Sequence, residues 1–493
     1  MPIIAAHNLG PKDGTPQIYN GFDCGGTIEV LPKLLSVGGA NADLMYGFYR
    51  GLQGAVLEMT LRGFRVDPLA REWAINDLGT RVRAVHQFLN EIVAPIWQKE
   101  INYRSGDQIK ELLYEFLGIP PVVRYVKQQR KEPMDADALG KLGQRHPEIA
   151  PITQAVLTCR DLDKQKRTFE SEVDVDSDGE MRMRYSLNIA GTNEGRFSSS
   201  KSTLGTGMNM QNVDPRLRYM FIADQGWKLC GIDKEQAESR WVGFTCGILF
   251  NDWSYLDACE SGDSHTAVAR MVWANELPWT GDIKKDRLIA EQPFGFDTYR
   301  QACKILAHAT NLMGKPETLS MHTKVPKHLV EQFQNRYFRA FPCIPRYHTW
   351  IANKIQSSQF LVNHFGMRRD FFDRPESEET WKAAAAFMQA SPNACDIKLG
   401  MWRVWKHMGL RVRLCTEEHD AIYFQFQETD DELDVVRTAQ DHLKVEFDLG
   451  FRKFSVPTDA KTGWNKGARW ERDESGNIID KNPRGLDKPG ARR

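Results

Sequence analysis

The chain has 493 residues, 41% hydrophobic and 26% charged, enough to bury a substantial core and to form more than one domain or subdomain. Lysine plus arginine equals aspartate plus glutamate at 65 each, so net charge gives no sign of nucleic acid, and any basic surface must be local. Nine scattered cysteines without a Cys-x-x-Cys pair argue against a disulfide framework and a structural zinc site, and no apolar run reaches the roughly 20 residues of a membrane span; the opening Met-Pro-Ile-Ile lacks the form of a signal peptide, so the cytoplasm, with no membrane partner, is the expected compartment.

In chain order, apolar spacing predicts helices over Met45–Arg62 and Leu69–Lys99, separated by the turn Gly63–Pro68. Ser105-Gly-Asp reads as a cap starting a helix that ends at Gly118-Ile-Pro. The helix Ile149–Glu170 ends in Arg160 to Arg167, whose cations either follow a phosphate backbone or form a solvated face. Asp174–Glu180 reads as a hairpin tip, resembling an EF-hand only superficially, since the flanking helices and final glutamate are missing. Arg182–Asn188, Trp227–Ile232, Arg411–Cys415 and Ala421–Phe426 are strand-like and are expected to share one sheet, while 246–345 is mainly helical. The tail after Trp470 is rich in Gly, Pro and charge and is expected to be disordered.

The chemistry concentrates at two acids. Asp233 ends an apolar strand, and Asp420 lies far downstream in Glu417-Glu-His-Asp-Ala-Ile-Tyr-Phe424; two strand-borne aspartates that meet only in the fold suggest a two-metal site. Between them, Arg300 and Lys304 stand at i and i+4 on one helix face, aimed at something anionic. This order of parts resembles the family A DNA polymerases, the bacterial DNA polymerase I group, from about Tyr46 to about Trp464.

The resemblance implies an α+β right-hand fold with an antiparallel palm sheet, helical thumb and helical fingers. Its divisions would be an exonuclease remnant (1–45), thumb (46–180), first palm part (181–245), fingers (246–345), second palm part (346–470) and tail (471–493). It further implies that Asp233 and Asp420 hold two Mg²⁺ ions, with Mn²⁺ a possible substitute, because hard cations take carboxylate oxygens. Arg300, Lys304 and His265 would grip the incoming triphosphate, with Gln236 and His308 also at the nucleotide. Glu238 matches the glutamate that packs against the sugar and excludes a ribose 2′-hydroxyl; the related single-subunit RNA polymerases lack it. Arg196 in Gly195-Arg-Phe-Ser-Ser-Ser, the Asn209-Met-Gln-Asn212 segment through Asn209, Gln211 and Asn212, and His419 would contact primer–template DNA.

Several positions depart from the family pattern. Ala421 stands where a glutamate follows the palm aspartate, Lys234 replaces an aromatic, and the spacer Lys201–Met208 is longer than usual. His308 and Leu312 replace aromatics, and with Asn311 and Met313-Gly314 they resemble a bacteriophage-type branch. Gln389 lies two residues too far from Asp396 to match the palm glutamine, which leaves its role open.

The implied activity is template-directed DNA synthesis from dNTPs. Tyr19-Asn-Gly-Phe-Asp23 resembles the last motif of a proofreading nuclease whose other carboxylates are missing, so no 3′–5′ proofreading is expected from this chain alone. A separate exonuclease or replisome protein is a candidate partner. The alternatives are a sugar-tolerant or RNA-synthesising relative, or a non-catalytic primer–template binding subunit.

Overall fold

The computed structural model describes residues 27–33, 36, 40–126, 129–294, 297–323, 325–472 and 478–490; the Tyr19–Asp23 motif lies outside them. Two long helices begin the described fold, α1 (Ala40–Arg62) and α2 (Pro68–Trp97). Asp67 caps α2, its carboxylate accepting the N–H groups of Leu69 and Ala70 at 3.0 and 3.1 Å, and Pro68 brings a φ already suited to the first turn. A third helix, α3 (Ala150–Phe169), packs along α2 through Leu89 and Val93 against Val156 and Cys159. The α3 cations are largely committed within the protein. Arg160 donates to the carbonyl of Tyr103, Arg167 pairs with Asp163 at 3.3 Å, and Lys166 pairs with Glu170 at 2.6 Å. Arg167 nevertheless keeps its side chain 67% exposed.

A four-stranded antiparallel sheet lies downstream. Its strands are β1 (Trp227–Lys234), β2 (Val412–Glu418), β3 (Ala421–Gln427) and β4 (Thr458–Gly463), in the spatial order β2-β3-β1-β4. Three of these were expected, but Arg182–Asn188 is not among them. Met181–Met183 pairs instead with Phe64–Val66 in a second sheet, where Met183 is buried opposite Phe64 and Arg182 is satisfied by Asp176 and Asp224. The vacant edge goes to β4, whose alternating Ala460 and Thr462 are buried on one face.

Helix α4 (Ala237–Phe250) leaves the end of β1, and the cationic helix α5 (Tyr299–Asn311) lies in the helical region that follows. That region has its own core of Trp273, Cys303, Leu306, Phe333, Tyr337 and Tyr347. The 31-residue helix α6 (Glu378–Met408) touches this core at Ala384 and Phe387 and then reaches the sheet core at Ile397, Met401 and Val404. Helix α7 (Glu432–Leu443) packs beside it. The expected divisions at 245/246 and 345/346 fall inside α4 and inside the helix Cys343–Ser358.

The described part of the tail, 471–472 and 478–490, departs from the expectation of disorder, while 473–477 and 491–493 lie outside the described residues. Trp470–Arg472 pairs with Ile478–Asp480, and Asp487 exchanges two backbone hydrogen bonds with Thr462, at 2.8 and 2.9 Å, covering the edge of β4. Composition misled here because a sheet edge offers unpaired backbone groups that a polar segment can fill. All eight cysteines of the described residues are free and buried, as their scatter implied. No helix among the described residues is long and apolar enough to cross a membrane.

Candidate active site

Asp233 is the penultimate residue of β1, paired with Ala421 on one side and with Asp459 on the other. Asp420 occupies the turn between β2 and β3, next to His419, which adopts the left-handed φ of 58° and keeps its ring exposed. The N–H of Lys234 donates to the carbonyl of Asp420 at 2.9 Å, so the two aspartates share one end of the sheet. Burial pushes the Asp233 carboxyl up to about 7, with Asp420 adding to the rise and Lys461 opposing it, although the outer side of Asp233 stays open to solvent. Asp420 is raised as well, by burial first and then by Glu238. Two carboxylates that disfavour their own ionisation this way suit a divalent cation, whose charge reverses the penalty.

Among the described residues, no three His, Cys, Asp or Glu side chains converge as a complete metal set. The pair nevertheless fits Mg²⁺, which keeps several waters and binds through one or two carboxylates plus substrate phosphates. Buried polar atoms around the site also lack protein partners: Arg196 Nε, Gln236 Oε1, Gln389 Oε1 and Asn393 Oδ1. Unsatisfied groups gathered at one place are the mark of a surface completed by ligand or water.

Glu238, in the first turn of α4, is the hub of the site. Arg196 donates to its Oε1, Gln389 Nε2 donates to its Oε2 at 2.8 Å, and His308 Nδ1 lies 3.5 Å from the same oxygen. This links α5 to α4 and α6. It also gives Gln389 a site that its sequence spacing had left open. Gln236, left-handed at φ 54°, makes the corner between β1 and α4.

Arg300, Lys304 and His308 follow one another along a face of α5. Lys304 is exposed, while Arg300 is held by Asp263, with Nε to Oδ2 at 2.9 Å. Asp263 also caps the helix that carries His265. Burial first, and then the charges of Arg300 and Lys304, lower the His265 imidazole to about 4, so it is neutral at pH 7.

The remaining predicted DNA contacts separate. Lys398, buried in α6, donates to the carbonyls of Gly195 and Ile189 and so fixes the loop bearing Arg196. Asn209 caps the short helix Met210–Asn212, and Asn212 is exposed. Gln211 turns inward, only 7% exposed, and donates to Glu417 at 2.8 Å; burial raises that acid to about 8. Gln211, expected at the DNA, is therefore committed to Glu417 in this structure. The long spacer ahead of it folds back at Gly207, whose φ of 71° and contact with Arg184 carry the chain around.

Sequence reasoning missed the support beneath the site. Lys234 is 0% exposed at its side chain and pairs with the equally buried Asp396 at 2.9 Å, also donating to the carbonyl of Leu443 at 2.7 Å. Asn393 donates to Asp420 Oδ1 at 2.6 Å. Polar residues within a 31-residue helix carry a detectable signal when they recur on one buried face, as Gln389, Asn393 and Asp396 do here.

Comparison with known proteins agrees with this geometry. The sequence pattern described as DNA polymerase family A matches residues 74–472. DNA polymerase I of Chloroflexus aurantiacus is 26% identical over 414 residues, covering 80% of this chain and 40% of that protein. The thermostable DNA polymerase I of Thermus aquaticus is 26% identical over 375 residues, covering 73% of this chain and 41% of that protein. The chain thus spans about two fifths of the length of these curated relatives. The solved POL domain of Pol1 from M. smegmatis, in complex with DNA primer-template and dNTP, superposes with a TM-score of 0.69 at 22% identity, covering 84% of this chain and 69% of that one, which establishes the right-hand fold. The chain belongs to DNA polymerase family A.

Proposed function

We propose that this chain adds dNTPs to a primer 3′ end on a DNA template by two-metal nucleotidyl transfer, with Asp233 and Asp420 as the cation ligands. The observation that carries the reading is that two carboxylates, both raised first by burial, share the end of one sheet, beside the Glu238 hub that α5 joins through His308. Bound Mg²⁺, or Mn²⁺ in its place, would lower the pKa of the primer hydroxyl and offset charge at the phosphorus. Arg300 and Lys304 supply the cations for the triphosphate, and neutral His265 offers one N–H without charge. Glu238 packs against the sugar, and Arg196, Asn209 and Asn212 face the primer–template, with His419 exposed at the hairpin tip.

We assign the chain to a bacteriophage-type branch on His308, Leu312 and Met313-Gly314. A sugar-tolerant relative remains the second reading, favoured by His308 on Glu238 where an aromatic is usual. Single-nucleotide extension of a labelled primer–template with each dNTP and rNTP separates the two. The polymerase reading expects dNTP addition only, with rNTPs admitted by Glu238→Ala. rNTP use by the unmutated chain favours the second reading, and tight DNA binding without extension means a non-catalytic subunit. The same assay without nucleotides, on a mismatched primer end, tests the expected lack of proofreading, and excision would contradict it.

A further inference from the structure

We infer that Asn393 is a positioning residue that presents Asp420 to a divalent cation, an inference resting on the two-metal reading above. Asp420 lies in a two-residue turn, where the backbone alone leaves a side chain free to rotate. One amide removes that freedom. Asn393 is 0% exposed, and its Nδ2 donates to Asp420 Oδ1 at 2.6 Å, a short, charge-assisted bond that leaves Oδ2 available. The carbonyl oxygen of the same amide is buried without a protein partner. With one end satisfied and the other not, the amide has its clearest use at the end that grips Asp420.

The chemistry of the donor matters. A lysine or arginine at this place would orient Asp420 equally well but would cancel its charge and compete with a cation. A neutral amide orients the carboxylate and leaves the charge intact. The next turn of α6 applies the same logic to the neighbouring strand. Lys234 follows Asp233 directly, and its ammonium is drawn into the interior by Asp396 and the Leu443 carbonyl. Asp420 is thus oriented by a buried amide, while the ammonium of Lys234, next in sequence to Asp233, is kept occupied elsewhere.

The test uses the full chain with primer–template, comparing Asn393→Ala and the similarly sized, apolar Asn393→Leu with the unmutated protein and with Asp420→Ala. Mn²⁺ binding is read by electron paramagnetic resonance without nucleotide, the Mg²⁺ dependence by single-nucleotide extension, and DNA binding by fluorescence anisotropy. Loss of an orienting partner around a metal ligand typically costs 10–100-fold in metal affinity, so both Asn393 variants should weaken Mn²⁺ binding and raise the Mg²⁺ requirement by about that factor. Primer–template affinity should stay unchanged. Unaltered Mn²⁺ and Mg²⁺ dependence in both variants overturns the role of Asn393, as does a variant that loses DNA binding along with metal binding, because the role predicts a metal-specific defect. If Asp420→Ala itself binds Mn²⁺ and extends normally, the two-aspartate reading fails instead.

Discussion

Replacing Lys234 by methionine should destabilise this protein strongly at pH 8 and only slightly at pH 5. Lys234 and Asp396 form an ion pair sealed from water, 2.9 Å apart with side chains 0% and 1% exposed. Methionine fills nearly the same volume, so little cavity is created and the loss is mainly electrostatic. Removing one partner of a buried pair leaves an uncompensated charge, and because Asp396 can escape the penalty by taking up a proton, linkage limits the loss at pH 8 to about 3 kcal/mol, the low end of the usual range. The pH window follows from Asp396, which burial raises to about 6 even with Lys234 beside it. The folded state therefore holds this proton more tightly than the unfolded chain, and stability falls as pH rises from the unfolded value toward the folded one, then levels off. Without Lys234 the folded value moves higher still, so the extra loss opens above pH 6 and is small below it. Urea unfolding of the unmutated protein and Lys234→Met at the two pH values reads the effect directly. Adding Asp396→Leu should recover at least about 2 kcal/mol, since an apolar pair of similar volume is often neutral or better, although the Leu443 carbonyl stays without its donor. A loss of equal size at both pH values, or no recovery in the double variant, refutes this account.

Further outcomes are expected elsewhere. Asp263→Asn keeps the helix cap but removes the charge holding Arg300; steady-state kinetics should give a lower KM for dNTP with kcat unchanged, and a raised KM would mean that Asp263 orients Arg300 instead. Gly207→Ala should cost at least about 2 kcal/mol in urea unfolding, because a Cβ there would lie 1.7 Å from the Arg184 carbonyl oxygen at a φ of 71°. Gln211→Ala should lower stability through the buried Glu417 while leaving the salt dependence of primer–template binding unchanged, whereas a reduced salt slope would restore Gln211 to the DNA surface.

Much of this architecture was legible in the sequence because it rests on local signals. Helical spacing marked α2 and α3, and apolar strands ending in aspartate marked β1 and the β2–β3 hairpin. The Glu238 hub was legible in part, through Arg196, Glu238 and His308 separately. What stayed hidden depends on pairing between distant segments. Met181–Met183 and Thr458–Gly463 are both short strands, of 3 and 6 residues, and only their partners decide which one joins the sheet that carries Asp233. Gln389 was obscured by counting along the sequence, whereas in α6 the relevant quantity is which face it occupies. The polar tail read as disordered because composition does not reveal that an unpaired sheet edge lies beside it.

The most direct measurement is single-nucleotide extension with Mg²⁺ and dNTPs by the unmutated chain, Asp233→Ala and Asp420→Ala, each first shown by anisotropy to bind primer–template. The account predicts extension by the unmutated chain and a loss of several orders of magnitude in each variant, since metal-assisted stabilisation of the developing charge is the main catalytic contribution. Extension at an undiminished rate by either variant would contradict it.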